Sequence, residues 1–218
     1  MTVGKTFVAQ VLQAHRYEIA ALRLKWKRTV PAPLSCNHTW ALDMTGKGDE
    51  RGDIHTIVGL IDHGSRLALA LRPVRQRTSV AMLKVLLAAV ETYGMPKILR
   101  TDNEACFTSG LFRVGLRLMG IRHRLGQPGC PWQNGRIERL FGTLKSKLDQ
   151  LIVADFTDLE LAIWQFRCWY NAIRPHQHLG GRTPEEAWCG IDPYRQAPKS
   201  VYRFEAWEGL LTGYYLRR

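Results

Sequence analysis

The spacing of hydrophobic positions changes along the chain, from helical at the start to strand-like further on. Near the N-terminus apolar residues recur every three or four positions, which predicts one amphipathic helix over 5–27, closed by Pro31 and Pro33. From His38 onward, the runs HTWALDMT, IHTIVGLID and RLALALRPV are separated by polar turns. This pattern predicts three consecutive strands in an antiparallel meander.

The rest of the chain alternates predicted helices and short strands. A helix is expected from a Thr78 or Ser79 cap to about Tyr93, and another over 109–119. The runs KILRTD and IRHRLG predict one strand each. After the Gly/Pro-rich loop GQPGCPWQNG, three more helices are expected: RIERLFGTLKSKLDQLIV, one opened by a capping box of Thr157 and Glu160, and one opened by Thr183 and Pro184. The order βββαβαβ followed by helices indicates an α/β fold with five strands.

The net charge of the chain indicates which class of molecule it binds. Lys and Arg number 31 against 19 Asp and Glu, which gives a formal charge of +12 and favours a polyanion, nucleic acid first. The 45% hydrophobic content excludes a disordered basic tail, and no uncharged run approaches the roughly 20 apolar residues of a membrane span. The five cysteines are scattered and never form a CxxC pair, so we expect reduced thiols rather than disulfides or zinc.

Three carboxylates stand in unusual positions. Asp43 lies inside an apolar strand, Asp102 lies at the end of another, and Glu138 begins the helix after the Gly/Pro-rich loop. Hard cations such as Mg²⁺ prefer carboxylate oxygens, and a strand centre, a strand end and a helix start can converge on one metal cluster. We therefore predict that Asp43, Asp102 and Glu138 are metal ligands.

These residues carry a family resemblance. The segments WALDMT (40–45), TDNEACFTS (101–109) and WQNGRIERLFGTLK (132–145) resemble the three acidic blocks of DDE transposases and retroviral-type integrases, specifically those of bacterial insertion sequences. Thirty-five residues separate Asp102 from Glu138, the spacing typical of that family. WYNAIRPHQHLGGRTPEEAW (169–188) resembles the segment that follows the catalytic helix, so the likeness spans about 38–190.

The resemblance implies an RNase H-like mixed five-stranded sheet flanked by helices, with two Mg²⁺ or Mn²⁺ ions in each active site. It also implies that Asp43, Asp102 and Glu138 are the catalytic residues: Asp43 would bridge both ions, Asp102 would bind one and Glu138 the other. The implied activity is metal-dependent cleavage and transfer of DNA strands by in-line displacement at phosphorus. Expected domains are a basic helix at 1–33, a remnant of an N-terminal DNA-binding region, then a catalytic core at 34–190 and a tail at 191–218.

The same resemblance implies partners and a location. The partners would be transposon ends and target DNA, a second copy of the chain in the active complex and a separate N-terminal DNA-binding region, and no membrane. A bacterial cytoplasmic, nucleoid-associated protein is expected. The residues predicted to contact DNA lie around Glu138 and at the end of the N-terminal helix: Asn134, Gly135, Arg136, Arg139, Lys145, Lys25, Lys27 and Arg28.

Some alternatives stay open at this level. The family commonly has Gly where this chain has Glu104, which either supports the metal ligands or is simply solvated. Asp62, in the turn LIDHGSR, is interpreted as structural. An RNase H-like nuclease without joining activity would share the same residues, and a transposase-derived DNA-binding protein without catalysis is the alternative from another functional class.

Overall fold

A computed structural model describes residues 4–28, 34–126 and 134–218, with backbone alone over 23–28. The chain consists of two compact units, residues 1–33 and residues 34–218. None of the described helices is long and apolar enough to span a membrane.

The first unit contains two helices instead of the single predicted one. Helix α1 spans Lys5–Ala14 and α2 spans Arg16–Arg28. The helical dihedrals are interrupted at His15, which has φ −101° and ψ 20°, and the His15 ring nitrogen contacts the Glu18 carboxylate at 2.8 Å. Periodicity alone did not reveal this break because the apolar spacing continues across it. The predicted DNA contacts of Lys25, Lys27 and Arg28 involve side chains outside the described residues.

The second unit is built on a mixed five-stranded sheet in the order β3-β2-β1-β4-β5, which confirms the predicted α/β architecture. Strands β1, β2 and β3 form the antiparallel meander, whereas β4 and β5 run parallel to β1. The strands are β1 (Thr39–Gly48), β2 (Ile54–Asp62), β3 (Ala68–Val74), β4 (Ile98–Thr101) and β5 (Arg122–Leu125).

Helices cover both faces of this sheet and divide the core in two. One face packs against α3 (Ser79–Tyr93), α4 (Ala105–Thr108) and α5 (Gly110–Leu118), with Trp40 and Leu42 of β1 in the shared core. The other face packs against α6 (Gly135–Leu148) and α7 (Phe156–Cys168), with Ala41 of β1 in that core. Alternate residues of β1 therefore point to opposite faces, as strand geometry requires.

Tertiary packing sets two helix ends differently from the prediction. Helix α6 stops at Leu148 instead of continuing to Val153, because Val153 is buried in the core and its carbonyl accepts a hydrogen bond from the Glu50 N–H. Helix α7 is capped by Asp155 rather than Thr157: the Asp155 carboxylate accepts from two backbone N–H groups. The helix predicted to open at Thr183 and Pro184 is confirmed as α8 (Pro184–Trp188), and Thr183 forms a capping box with Glu186.

The C-terminal segment folds back onto the core as a hairpin. Strands β6 (Ser200–Ala206) and β7 (Leu211–Arg217) pair antiparallel. Trp207 in the turn is buried, and its indole N–H donates to the side-chain oxygen of Gln165 at 3.1 Å. The indole N–H of Trp169 donates to the Thr212 carbonyl at 2.9 Å. The hairpin is thus anchored on α7 and the residues that follow it.

Candidate active site

The parallel pairing of β1 with β4 ends two residues before Asp43 and Asp102. Strand β1 pairs parallel with β4 so that Ala41 lies beside Arg100, and two further residues along each chain reach Asp43 and Asp102. Residues aligned in a parallel ladder point to the same face. Because Asp43 alternates with Leu42, it shares the face of Ala41, on which α6 packs.

A glycine in β2 allows helix α6 to pack closely against this face of the sheet. Gly59 of β2 is the cross-strand partner of Asp43, and a Cβ built on Gly59 would lie only 2.8 Å from two ring carbons of Phe141. The missing side chain therefore makes room for the buried Phe141 ring next to Asp43. Glu138 lies one helical turn before Phe141, exposed near the start of α6. The packing of Phe141 thus fixes the helix that carries Glu138 beside the aspartates.

Burial and the neighbouring carboxylates make ionisation of Asp43 less favourable. Burial raises the pKa of Asp43 to about 6, a hydrogen bond from the Met44 N–H acts in the opposite direction, and the charges of Asp102, Glu104 and Glu138 raise it further. An excess of negative charge at a half-buried carboxylate is an environment that a divalent cation would neutralise.

The donor chemistry at this position fits a hard cation, although the three predicted ligands are not in contact. Among the residues that the structure describes, no three His, Cys, Asp or Glu side chains lie close enough together to hold one metal ion. Asp43 and Asp102 each follow the last β1–β4 pair by two residues, and Asp102 and Glu138 both act on Asp43 through their charges. Residues 127–133, which form most of the Gly/Pro-rich loop before the helix of Glu138, lie outside the described residues.

Glu104 is the fourth carboxylate of this site. Its backbone N–H donates to an Asp102 carboxylate oxygen at 3.1 Å, and its own carboxylate accepts from Arg77 at 3.2 and 3.4 Å. The residue that departs from the family pattern therefore holds the Asp102 side chain through its backbone and pairs with a cation through its side chain.

Asp62 lies at the far end of β2 and has a structural role, in agreement with its interpretation from the sequence. Its carboxylate is fully buried and accepts hydrogen bonds from the Ser65 N–H at 2.7 Å, the Ser65 hydroxyl at 2.8 Å and the Asn37 N–H at 3.0 Å. These bonds fix the β2–β3 turn and tie it to the segment that leads into β1.

The predicted DNA-contact residues around Glu138 differ in exposure. Arg139 and Lys145 are exposed on α6. Arg136 is half-buried, and its guanidinium donates to the His63 carbonyl at 2.6 Å; burial and the charges of neighbouring arginines lower the Arg136 pKa to about 10. Gly135 faces open space, and the buried side-chain oxygen of Asn134 has no hydrogen-bond partner among the described residues. Arg136 is thus partly tied into the fold, whereas Arg139 and Lys145 are accessible to a ligand.

A groove of 630 Å³ follows the exposed side of α6 away from Glu138. Lys147, which was not predicted from the sequence, and Arg174, which lies in the segment 169–188 that resembles the family, line it together with Arg139. The Lys147 ammonium and the Arg174 guanidinium lie 5.6 and 5.8 Å from the ring centroid of Trp169. Arg174 could be noticed in the sequence because Arg174-Pro175-His176 belongs to the segment that resembles the family. Lys147 could not, because its proximity to Trp169 is visible only in the folded chain.

Comparison with known proteins identifies the domain. Two family models, both described as Integrase core domain, match residues 34–131 and residues 119–184. The Insertion element IS476 uncharacterized 39.2 kDa protein of Xanthomonas euvesicatoria is 26% identical over 181 residues, 78% of this chain and 52% of that protein. The Pol polyprotein of Radiation murine leukemia virus (strain Kaplan) is 32% identical over 127 residues, 56% of this chain and 21% of that protein. The chain thus spans about half of the first relative and about a fifth of the second.

Solved structures share the fold. The HTLV-2 integrase catalytic core domain in complex with magnesium, in its dimeric form, aligns with a TM-score of 0.58 at 22% identity over 71% of this chain and 98% of that chain. The simian T-cell lymphotropic virus intasome in complex with PP2A regulatory subunit B56 gamma aligns with a TM-score of 0.60 at 21% identity over 82% of this chain and 66% of that chain. The five-stranded sheet with its flanking helices is therefore the RNase H-like fold of integrase catalytic cores.

Proposed function

This chain belongs to the integrase core domain family, and from that membership we propose that it catalyses metal-dependent cleavage and transfer of DNA strands as part of an insertion-sequence transposase. The observation that carries the proposal is the pairing of β1 with β4, which leads toward Asp43 and Asp102, together with the charges of Asp102 and Glu138 that raise the pKa of Asp43. The net charge of +12 and the exposed cations of α6 support DNA as the substrate.

In this proposal Asp43, Asp102 and Glu138 would hold Mg²⁺ or Mn²⁺. The bound ions would supply Lewis-acid stabilisation of the charge that develops on oxygens around the transferred phosphorus. Within the protein, the Glu104 N–H orients the Asp102 carboxylate and the Met44 N–H orients that of Asp43. Phe141 packed over Gly59 sets the position from which Glu138 would complete the ligand set.

DNA would be positioned by cations rather than by the carboxylates. Arg139 and Lys145 are exposed on α6, and Arg136 and Asn134 lie at its start, so a strand that reaches Glu138 would pass these groups. Contacts to phosphate fix the position of a duplex and contribute most of its non-specific affinity. A second copy of the chain in the active complex belongs to the same proposal and is supported by integrase cores with this fold solved in dimeric and trimeric forms.

The proposal is tested with DNA from the regions that flank the chain's own coding sequence, where the ends of its element would lie. The full chain is incubated with labelled duplexes of that DNA and Mg²⁺ or Mn²⁺, and the products are sized. We expect nicked strands and longer joined strands with the wild type, and neither with Asp102→Asn or Glu138→Gln. Glu160→Gln, which removes an exposed carboxylate of α7, is the matched control and should retain both products.

The outcomes separate the functional classes. Loss of both products in the Asp102 and Glu138 variants, with DNA binding retained, supports the proposal. Cutting without joined products would indicate a nuclease. Wild-type strand transfer by Glu138→Gln would contradict the assignment of the active site, and DNA binding without any metal-dependent product would favour a non-catalytic DNA-binding protein.

A further inference from the structure

Two arginines from distant parts of the chain converge on one backbone oxygen in the turn that follows β2. The guanidinium of Arg136, at the start of α6, donates to the His63 carbonyl at 2.6 Å, and that of Arg66, in the β2–β3 turn, donates to the same carbonyl at 3.3 Å. Each guanidinium offers five N–H donors, so most donors of both groups remain available. The two positive charges at this neutral acceptor repel each other, and an anion bound between them would offset the repulsion.

Arg139 and Arg174 extend this cluster around a buried tyrosine. Burial raises the pKa of the Tyr170 hydroxyl to about 12, while the positive charges of Arg174, Arg66 and Arg139 act in the opposite direction. The charges of all three guanidiniums therefore act on one hydroxyl, and the Arg174 guanidinium lies 5.9 Å from the centroid of the Tyr170 ring. Tyr170 belongs to a five-residue π-helix, Trp169–Ile173, that directly precedes Arg174. Short π-helical segments are frequent at functional sites, and this one brings Arg174 back toward α6.

The cluster has no carboxylate partner. None of the salt bridges among the described residues involves Arg66, Arg136, Arg139 or Arg174. The segments outside the described residues contain no Asp or Glu, so they supply no further carboxylate side chain. Asp62 is the acidic residue whose charge favours the charged forms of Arg66 and Arg136, but its oxygens already accept hydrogen bonds from Ser65 and Asn37.

We propose that Arg66, Arg136, Arg139 and Arg174 form a binding site for one phosphate group of a DNA strand, next to the position where the strand is cut. This inference rests on the proposed function and assigns Arg66 and Arg174 a substrate-binding role. Guanidinium groups bind phosphate oxygens with paired hydrogen bonds, and several of them around one anion relieve their mutual repulsion.

The position of Glu138 favours a phosphate of the substrate strand over a free anion. Arg136 and Arg139 flank Glu138 on α6, and the groove lined by Glu138, Arg139 and Arg174 leaves the cluster toward Trp169. A phosphate held by the four arginines would therefore belong to a strand that continues along this groove. The site would position a neighbouring phosphodiester rather than take part in the reaction.

The first arm of the test uses inorganic phosphate. Thermal unfolding of the full chain is measured in phosphate and in chloride at equal ionic strength, for the wild type, Arg66→Gln, Arg174→Gln and the matched control Arg117→Gln on the exposed surface of α5. We expect phosphate to raise the melting temperature of the wild type and of the control, and this increase to disappear in Arg66→Gln and Arg174→Gln. Position 66 has a positive φ of 66°, a conformation that is equally unfavourable for Arg and for Gln, so the substitution leaves the backbone strain unchanged.

A structural role for Arg66 would give a different result. If Arg66→Gln lowered the melting temperature in chloride and kept the increase with phosphate, the site would be refuted. In our account, removal of one repelling charge leaves stability in chloride unchanged or higher.

The second arm uses duplex DNA with one uncharged methylphosphonate placed in turn at each linkage around the cleavage position. One position should weaken binding by the wild type about tenfold and leave Arg66→Gln unaffected, since that variant no longer contacts the phosphate. Equal sensitivity of both proteins at every position, even with the phosphate effect confirmed, would indicate a site for a free anion and overturn the inference. Because both arms measure binding, they stand apart from the strand-transfer result for Glu138→Gln, which tests the proposed function.

Discussion

Asp43→Asn should make the metal-free protein more stable at neutral and alkaline pH. Burial, with the charges of Asp102, Glu104 and Glu138, raises the pKa of Asp43 from 3.8 to about 6. The folded chain thus binds a proton below about pH 6 that the unfolded chain binds only near pH 3.8, so stability rises as pH falls through this window. Above pH 6 the ionised carboxylate destabilises the fold by about 3 kcal/mol, at 1.36 kcal/mol per pH unit of pKa difference.

Asparagine keeps the shape of Asp43 and the acceptor for the Met44 N–H while it removes the charge. The variant should therefore gain up to about 3 kcal/mol in free energy of unfolding at pH 8, or roughly 6 to 12 °C in melting temperature for a chain of this size. The gain should nearly vanish at pH 4, where wild-type Asp43 is mostly protonated. Urea unfolding of both proteins in EDTA at the two pH values measures the difference.

Added Mg²⁺ should reverse the order of the two proteins. The wild type gains stability because the ion binds the folded state, whereas Asp43→Asn gains little. Asp62→Asn is the control: its amide nitrogen cannot accept a hydrogen bond from Ser65, so this variant should lose about 1 to 3 kcal/mol at either pH. The reasoning is refuted if Asp43→Asn is no more stable than the wild type at pH 8, or if it keeps the full gain with Mg²⁺.

Three further changes test the surroundings of the site. Gly59→Val should clash with Phe141, because even a Cβ at position 59 would lie 2.8 Å from its ring. Urea unfolding should show that the free energy of unfolding falls by about 2 kcal/mol. An unchanged unfolding midpoint would mean that the ring moves freely. Burial and nearby arginines lower the pKa of His63 from 6.5 to about 3, so stability should fall as pH drops below about 6.5, where the unfolded chain alone takes up the proton. His63→Gln should flatten this slope by about one proton, and a parallel profile would contradict the argument. Lys145→Ala should weaken duplex binding and reduce the log–log salt slope by about 0.9, whereas an unchanged slope would show that Lys145 contacts no phosphate.

The strands and the position of the aspartates could be predicted because they depend on local pattern. Short apolar runs bounded by polar turns identify β1, β2 and β3, and a carboxylate inside such a run is visible without a structure. Helix ends depend on contacts between distant residues: α6 ends where Val153 enters the core. The C-terminal hairpin turns through Trp207 and Glu208, both with positive φ, and neither residue type signals that conformation.

The basic side of the site was only partly predictable for the same reason. Arg136 and Arg139 were found from their distance to Glu138 along the helix, which is a local relation. Arg66 sits in a turn that reads as purely structural from its sequence, and only the folded chain brings it to the carbonyl that Arg136 also contacts. Spatial neighbours from separate elements carry no shared periodic signal in one sequence.

The position of bound metal tests the central claim most directly. Crystals of the full chain soaked in Mn²⁺ and measured at the manganese absorption edge should show anomalous density between Asp43 and Asp102, with Glu138 in contact with an ion, and Asp43→Asn crystals treated identically should lack it. Density confined to other sites, or density between the two positions that persists in Asp43→Asn, would contradict the proposed active site.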